Sequence, residues 1–146
     1  MFRLKRHTDD AEMTAQLCTY FVELGVPNVD PAEITAEFLY DPNLRVFRIL
    51  DDAPLGFLVT EDYPEFTEMS EFCVFPDHRR RGIGTRAAHL AFAGAPGAWE
   101  LGTMNDAIHF WRHVLKTYPF ARDGVEGPSA LAHQTHRLRF TIGTDL

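Results

Sequence analysis

Short stretches of the chain alternate apolar and polar residues, and such alternation predicts β-strands that turn one face towards a core. The stretches cover residues 2–5, 44–50, 55–61, 68–75, 98–103 and 135–142. The sequence Asp-Asp-Ala-Pro at residues 51–54 separates the second stretch from the third and is typical of a hairpin turn. The pattern therefore predicts six strands, two of them joined as a hairpin.

Between these stretches, apolar residues recur every three or four positions, which predicts helices over residues 9–24, 31–41, 82–95 and 106–118. Asp9 is a suitable N-cap for the first helix, Gly25 a suitable stop, and Pro31 suits the first turn of the second helix. The third helix would bury a face made of Ile83, Ala87, Leu90 and Ala91. Strands and helices together predict an α/β fold in which helices pack on a sheet.

The composition is that of a globular protein, with 146 residues, 45% of them hydrophobic and 12% aromatic. We expect one domain, residues 1–146. The net charge of −7 argues against nucleic-acid or anionic-membrane partners. No apolar stretch is long enough for a membrane span or a secretion signal. Cys18 and Cys73 lack metal-binding spacing and are expected as free thiols, which predicts a cytoplasmic protein.

One basic stretch stands out in a chain that carries 21 acidic and only 14 basic residues. Arg79, Arg80 and Arg81 directly precede the sequence Gly-Ile-Gly at residues 82–84, where the third helix begins. The first N–H groups of a helix point at solvent, and glycines let an anion approach them closely. Arginine side chains add charge-assisted hydrogen bonds. We therefore predict a phosphate or pyrophosphate site at this stretch, which we call the arginine turn (residues 79–85).

The arginine turn also fits the dinucleotide-binding pattern G-x-G-x-x-A, with Glu100 as a possible ribose-binding acid. That pattern requires a strand that leads straight into the first glycine, but Pro76 ends the strand and five polar residues follow it. A P-loop is excluded because the sequence G-x-x-x-x-G-K-S/T does not occur. Both nucleotide-binding interpretations are therefore rejected.

In the predicted order of elements, a strand is followed by a Pro-Asp pair and then by R-x-x-G-x-G at the start of a helix. In this arrangement the chain resembles the GNAT superfamily of N-acetyltransferases. Arg79, Gly82 and Gly84 match its pyrophosphate motif. The resemblance extends over most of the chain, and is strongest to a branch with a Phe-Trp pair in the last helix, here Phe110 and Trp111. It implies a central mixed, twisted sheet of six to seven strands flanked by about four helices. It also implies acetyl-CoA as cosubstrate.

The resemblance further implies which residues bind acetyl-CoA. The strand before the motif would hold the pantetheine arm through its backbone, and the arginine turn would hold the pyrophosphate. Asn105 and Trp111, around the last helix, would contact the cosubstrate too. The expected binding residues are Phe72, Cys73, Val74, Arg79, Arg80, Arg81, Gly82, Ile83, Gly84, Thr85, Asn105 and Trp111. No metal is expected.

Direct transfer to a primary amine in a ternary complex needs a base that takes the proton of the amine. Glu100 matches the glutamate that many family members carry on the strand after the motif helix, and Glu68 matches the base of others. Glu71 is expected on the opposite face of its strand from Glu68. Cys73, in a buried-looking strand, is expected to belong to the core rather than to act as a nucleophile. The family's usual proton donor is a tyrosine, whose position is occupied here by Trp111.

This replacement keeps a second interpretation open, a CoA-binding module with weak or no turnover. A third is an interaction protein whose arginine turn contacts an acidic partner. The expected acceptor is a small molecule or a peptide with an amine, and a homodimer is possible. Acidic residues in the segment 60–70 favour a cationic amine, while a solvent-exposed loop explains them equally well. The segment 117–135 is expected to be a specificity loop.

Overall fold

The computed structural model describes residues 1–131 and 134–144, and its centre is a sheet of seven strands. The strands are β1 (Arg3–Arg6), β2 (Leu44–Asp51), β3 (Ala53–Asp62), β4 (Thr67–Val74), β5 (Gly97–Thr103), β6 (Ala121–Pro128) and β7 (His136–Ile142). Their order in the sheet is β1-β2-β3-β4-β5-β7-β6, and only the central pair, β4 with β5, is parallel. The predicted mixed sheet of the GNAT-like fold is confirmed.

Four α-helices flank the sheet: α1 (Asp10–Leu24), α2 (Pro31–Tyr40), α3 (Ile83–Gly94) and α4 (Ile108–Thr117). The side chain of Asp9 accepts a hydrogen bond from the N–H of Glu12, and Gly25 ends α1 in the left-handed conformation, both as expected. Pro31 is the first residue of α2, which also agrees with the expectation. No helix in the described part of the chain has the length and apolar character needed to cross a membrane.

Each face of the sheet has its own hydrophobic core. On the face covered by α1 and α2, which we call the α1 face, Met13, Leu17 and Tyr20 pack on buried residues of β2, β3 and β4. On the other face, the α3 face, α3 and α4 pack on a larger core that contains Trp99 and Leu101. The buried strand residues of the α1-face core come from β2–β4, so α1 and α2 leave β5 and β7 uncovered on that face.

The two strands at the centre of the sheet separate after a short contact. β4 and β5 pair at three positions, from Thr67 with Trp99 to Met69 with Leu101, and no further pairing between them occurs in the described residues. β4 continues to Val74. The rest of β4 therefore faces an opening between the two strands.

A bulge in β4 lies where this opening starts. Thr60 is opposite Met69, whereas the next residue of β3, Val59, is opposite Glu71, so Ser70 is an extra residue in β4. An extra residue reverses the alternation of side chains along a strand. Met69 consequently lies in the α3-face core and Cys73, four residues further on, lies in the α1-face core.

Two sequence predictions are wrong at this level. The segment predicted as a loop over 117–135 contains β6 at the edge of the sheet, and the described part of the loop shortens to residues 129–131 and 134–135; residues 132 and 133 lie outside the described residues. On α3, Leu90 is exposed, and the buried face is completed by Ala88 and Phe92. The buried face of α3 is therefore rotated by about one residue from the predicted face.

Candidate functional site

The arginine turn leads into the N-terminus of α3 in a conformation suited to an anion. Arg80 and Gly82 both have positive φ angles, 65° and 73°. The first hydrogen bond of the helix runs from the N–H of Arg86 to the carbonyl of Gly82, and no side chain caps the helix. The N–H groups of residues 83–85 therefore point away from the helix, and together with its dipole they form a site for a phosphate group.

The side chain of Arg79 is 42% exposed, and its guanidinium also contacts protein groups. Its guanidinium makes two hydrogen bonds to the carboxylate of Glu23 on α1, one of them at 2.8 Å, and its Nε donates to the carbonyl of Val74 at 2.7 Å. Arg79 thus ties the arginine turn to α1 and to the end of β4. The prediction that Arg79 binds pyrophosphate stays a prediction, while Arg80 and Arg81 are exposed and free of this contact.

The backbone of β4 presents hydrogen-bonding groups to the opening. The N–H of Phe75 donates to the carbonyl of Leu55 on β3, so alternate residues of β4 bond to β3 and the backbones of Phe72 and Val74 point the other way. An extended ligand in the opening would find these groups along one edge. Cys73 does not share this orientation, because its backbone faces β3 and its side chain lies in the α1-face core.

An aromatic cluster fills the space between this edge and α4. The ring of Trp111 lies 5.1 Å from that of Phe72 and 4.9 Å from that of Phe110. Trp111 is only 6% exposed. A Cβ atom at Gly84 would stand 3.0 Å from the ring of Phe110, so Gly84 is the residue that lets α3 begin this close to α4.

Asn105 does not cap α4. The helix begins at Ile108 after Ala107, and the N–H groups of both residues donate to the carbonyl of Met104. Asn105 is exposed in the turn that precedes the helix. Its contact with the cosubstrate stays a prediction.

The two candidate bases lie next to each other where β4 and β5 pair. Glu68 is directly opposite Glu100 in the parallel register, and both side chains lie on the α1 face, since Met69 and Leu101 point to the other core. Arg137 on β7 bridges them: its Nη2 is 2.7 Å from Oε2 of Glu68 and its Nε is 3.1 Å from Oε1 of Glu100. Ser70 donates to the second oxygen of Glu68.

The sequence analysis did not identify Arg137 as a site residue. Its signal was present in the alternation of β7, where Leu138 and Phe140 are buried and Arg137 and Arg139 must share the opposite face. The pairing of β7 with β5 places Arg139 opposite Glu100. Only this pairing shows that the exposed face of β7 lies next to the candidate bases. Long-range pairing of this kind cannot be deduced from one strand's pattern.

Glu71 lies on the same face as Glu68, contrary to expectation, because the bulge at Ser70 reverses the alternation. Its Oε2 accepts a hydrogen bond of 2.5 Å from the hydroxyl of Tyr20 on α1. Burial raises the pKa of Glu71, the hydrogen bond from Tyr20 lowers it, and the neighbouring Glu68 raises it. Three carboxylates therefore lie close together beside the opening.

The thiol of Cys73 is not suited to nucleophilic attack. The residue is 6% exposed in the α1-face core, and burial raises the pKa of the thiol to about 11. Only the thiolate is a good nucleophile, and little of it forms near neutral pH. This environment agrees with the expectation that Cys73 belongs to the core.

A groove on the uncovered part of the α1 face leads to Glu100. It has a volume of about 240 Å³ and its lining includes Glu65, Phe66, Asp123 and Arg139. Because α1 and α2 leave this part of the sheet open, a ligand can reach the carboxylates from this side while another occupies the opening between β4 and β5. The groove is thus a second approach to Glu100, separate from the opening.

The residues around the opening fit the pantetheine and pyrophosphate of CoA. The groups that CoA would need are present: outward-facing N–H groups at residues 83–85, a positively charged turn, and backbone groups of Phe72 and Val74 that point away from β3. Of these, the carbonyl of Val74 accepts a hydrogen bond from Arg79. Gly84 has no Cβ between the helix terminus and the ring of Phe110. CoA contains an amide-bearing chain joined to a pyrophosphate. The chain matches the backbone groups of β4, and the pyrophosphate matches the N-terminus of α3.

Comparison of structures shows the same fold in several acetyltransferases. GCN5 from Tetrahymena is 14% identical over 100% of this chain and 98% of its own, with a TM-score of 0.69. Spermidine N-acetyltransferase from Vibrio cholerae, in complex with CoA and spermine, is 12% identical over 97% of this chain and 95% of its own, with a TM-score of 0.70. An acetyltransferase from Bacillus subtilis, in complex with CoA, is 15% identical over 97% of this chain and 98% of its own, with a TM-score of 0.60.

Comparison of sequences identifies the family. No curated protein matches this chain. Residues 11–115, well over half of the chain, match the acetyltransferase (GNAT) family. The matched segment runs from α1 to α4 and includes the arginine turn, both candidate bases and Trp111. The chain therefore belongs to the GNAT family of acetyltransferases and is an acyl-CoA-dependent N-acetyltransferase whose cosubstrate is acetyl-CoA.

Proposed function

We propose that this protein transfers the acetyl group of acetyl-CoA directly to a primary amine while both substrates are bound. The observation that carries the proposal is the pair Glu68 and Glu100, which lies on paired residues of β4 and β5 where these strands separate. A thioester in the opening and an amine in the groove would meet at these carboxylates. Family membership supports acetyl transfer, and this geometry supports the direct route.

The cosubstrate would be held mainly by backbone groups. The N–H groups of residues 83–85 and the side chains of Arg80 and Arg81 would bind the pyrophosphate. The backbones of Phe72 and Val74 would bind the pantetheine arm as a neighbouring strand would. Arg79 would act indirectly, through its contacts with Glu23 and Val74.

The reaction requires the protein to assist one proton transfer. The amine nitrogen forms a bond to the acetyl carbon, the carbon–sulfur bond breaks, and the electron pair leaves with the sulfur. We assign the proton of the amine to Glu100, directly or through a water molecule, with Glu68 as the alternative acceptor. The indole of Trp111 is too weak an acid to protonate the leaving sulfur, so we assign that proton to solvent.

The acceptor that fits this surface is a cationic amine. Glu61, Glu68, Glu71 and Glu100 project on the α1 face, and Glu65 and Asp123 line the groove. Arg137 and Arg139 only partly offset this charge. A second positive group on the substrate would be attracted to the acidic side chains, which favours diamines and polyamines over neutral amines.

The proposal is tested with a panel of amines, acetyl-CoA and mass spectrometry of the products. Mono-acetylated amine and free CoA are expected in equal amounts. Glu100→Gln is expected to lower kcat by about 10²–10⁴-fold with nearly unchanged affinity for CoA, and Glu68→Gln is its paired control. Loss of activity in Glu68→Gln alone would assign the base to β4 instead.

A binding assay tests the cosubstrate site separately from turnover. Gly84→Val is expected to abolish the increase in Tm that CoA causes, because the new side chain meets Phe110 and obstructs the helix terminus. Gly94→Val on the same helix is the matched control, since a Cβ there meets no other atom within 4 Å. Normal CoA binding by a folded Gly84→Val variant would place the cosubstrate elsewhere.

The same two assays decide between the enzyme and a CoA-binding module. Trp111 in place of the usual tyrosine favours the module, because it removes a proton donor from the expected position. A protein that binds CoA and acetylates none of the amines would support the module and contradict our proposal. A single domain over residues 1–146, a homodimer and a cytoplasmic location stay predictions.

A further inference from the structure

The two candidate bases form an unfavourable pair by themselves. Glu68 and Glu100 are directly opposite each other on neighbouring strands and on the same face. Like charges in this arrangement destabilise a sheet. Their side chains are only 20% and 17% exposed, so water screens the repulsion incompletely. A counter-charge between the two carboxylates would offset this repulsion.

Arg137 supplies this counter-charge with a defined geometry. Its guanidinium contacts one oxygen of each carboxylate through different nitrogen atoms, and its own side chain is 18% exposed. A planar guanidinium fixes the direction of both bonds, which a flexible ammonium cannot do. Oε2 of Glu100 accepts no hydrogen bond from another described residue, so this oxygen is available to a substrate.

Arg139, the other arginine on this face, differs in all these respects. Its side chain is 69% exposed and its Nε lies 3.4 Å from Oε1 of Glu100, with no contact to Glu68 in the described residues. It is therefore a solvent-screened neighbour rather than a bridge. In the β5–β7 pairing Arg137 is opposite Gly102, whereas Arg139 is opposite Glu100.

We propose that Arg137 is a positioning residue, which holds the carboxylates of Glu68 and Glu100 side by side and oriented so that the pair accepts one proton from the acceptor amine. The inference rests on the proposed function and adds a residue to it. One guanidinium shared by two carboxylates leaves a net charge of about −1, and uptake of one proton from the amine makes the trio neutral. Uptake of the proton thus removes the repulsion between the two carboxylates that the strand pairing places next to each other.

Other titratable groups near this trio come from each neighbouring element. They are Glu61 on β3, Tyr63 and Glu65 between β3 and β4, Glu71 on β4 with its partner Tyr20 on α1, Asp123 on β6 and Arg139 on β7. The interaction with Glu61, followed by burial and the charge of Glu68, raises the pKa of Tyr63 to about 12. The neighbouring carboxylates add negative charge around the pair, and the guanidinium of Arg137 is the positive group that contacts both of its members.

The test is the pH dependence of kcat in Arg137→Gln, measured with acetyl-CoA and the best amine of the panel. Loss of an opposite charge at this distance is expected to move the acidic limb to higher pH by about 1 unit or more. Loss of orientation is expected to lower the maximal kcat by about 10²-fold, while the CoA-induced change in Tm stays the same. Arg137→Lys should recover part of the shift in pH and little of the loss in kcat.

Two controls separate this role from a general effect of removing an arginine. Arg112→Gln removes a surface pair with Glu126, on α4 and β6, and is expected to leave the profile unchanged. Arg139→Gln is expected to move the limb by less than Arg137→Gln, because Arg139 is exposed. Equal shifts for the two arginines of β7 would overturn the assignment to Arg137.

The outcomes distinguish a failure of the inference from a failure of the proposed function. If Glu68→Gln and Glu100→Gln are both fully active, the proposed bases are wrong and the inference fails with them. If one of them is impaired while Arg137→Gln keeps the kcat and the profile of the unmodified protein, the inference alone is overturned. Should Arg137→Gln not fold, the same criteria apply to Arg137→Lys, which preserves the charge.

Discussion

Replacing Tyr20 by Phe removes one hydroxyl group and leaves the aromatic ring in place. The ring packs edge-on against Phe57 with a centroid distance of 5.2 Å, and this contact is kept. The lost hydroxyl is the hydrogen-bond donor to Glu71. A buried acceptor without its donor costs about 1–3 kcal/mol, and water reaches the half-buried Glu71, so we expect about 1–2 kcal/mol. For a protein of this size the Tm would fall by about 2–8 °C.

The cost should depend on pH, with a sign that follows from the pKa of Glu71. Burial raises this pKa above its ordinary value of 4.5, and the Tyr20 hydrogen bond counteracts the increase. A group with a raised folded-state pKa contributes stability below its unfolded pKa and loses this contribution as the pH rises through the folded value. Without Tyr20 the folded value rises further. Tyr20→Phe should therefore differ little from the unmodified protein near pH 4 and most near pH 8.

The assay is thermal unfolding of both proteins between pH 4 and pH 8. Tyr40→Phe is the matched control, since the hydroxyl of Tyr40 also donates to a carboxylate, that of Asp10, but the side chain is 69% exposed. The control should leave Tm nearly unchanged at every pH. The reasoning would be refuted if Tyr20→Phe behaved like Tyr40→Phe, or if its cost were the same at both ends of the range.

Three further predictions concern the core and the opening. Trp111→Phe should keep most of the activity and lose about 1–2 kcal/mol of stability through a partly filled cavity next to Phe72, as measured by kcat and chemical unfolding. Iodoacetamide should modify the exposed Cys18 much faster than Cys73 in the native protein, as followed by peptide mass spectrometry, because burial and a raised pKa protect Cys73. Gly56→Ala should destabilise the protein by at least about 3 kcal/mol in the same unfolding assay, because its Cβ would lie 2.0 Å from the carbonyl oxygen of Cys73.

Most of the helices and strands could be predicted because local patterns determine them. Asp9, Gly25 and Pro31 mark helix ends by their own backbone and capping properties, and the structure confirms each of them. β6 was missed because its sequence, Ala-Arg-Asp-Gly-Val-Glu-Gly-Pro, has no apolar alternation. Among the strands that the structure describes, it pairs with β7 alone, at the edge of the sheet, and is largely exposed, so pairing rather than side-chain burial forms it.

The candidate site could be predicted where a motif encodes it and not where two strands build it together. The arginine turn is visible in a stretch of seven residues, and the structure places it at the N-terminus of α3, while its role in CoA binding stays a prediction. The bulge at Ser70 is invisible in the sequence, because both registers of β4 place apolar residues in a core. For this reason Glu71 was assigned to the wrong face. Arg137 was missed since its partners lie 37 and 69 positions away in the chain.

The short contact between β4 and β5 has a consequence for the motions of the protein. The sheet consists of two antiparallel blocks, β1–β4 and β5–β7–β6, and three paired positions are the only strand pairing that joins them in the described residues. The α3-face core, which contains Met69 from one block and Leu101 from the other, is the main connection. Backbone hydrogen bonds between strands therefore contribute little to holding the two blocks together at the opening. Amide hydrogens of Phe72 and Val74, which face the opening, should exchange with deuterium from solvent sooner than that of Cys73, which faces β3.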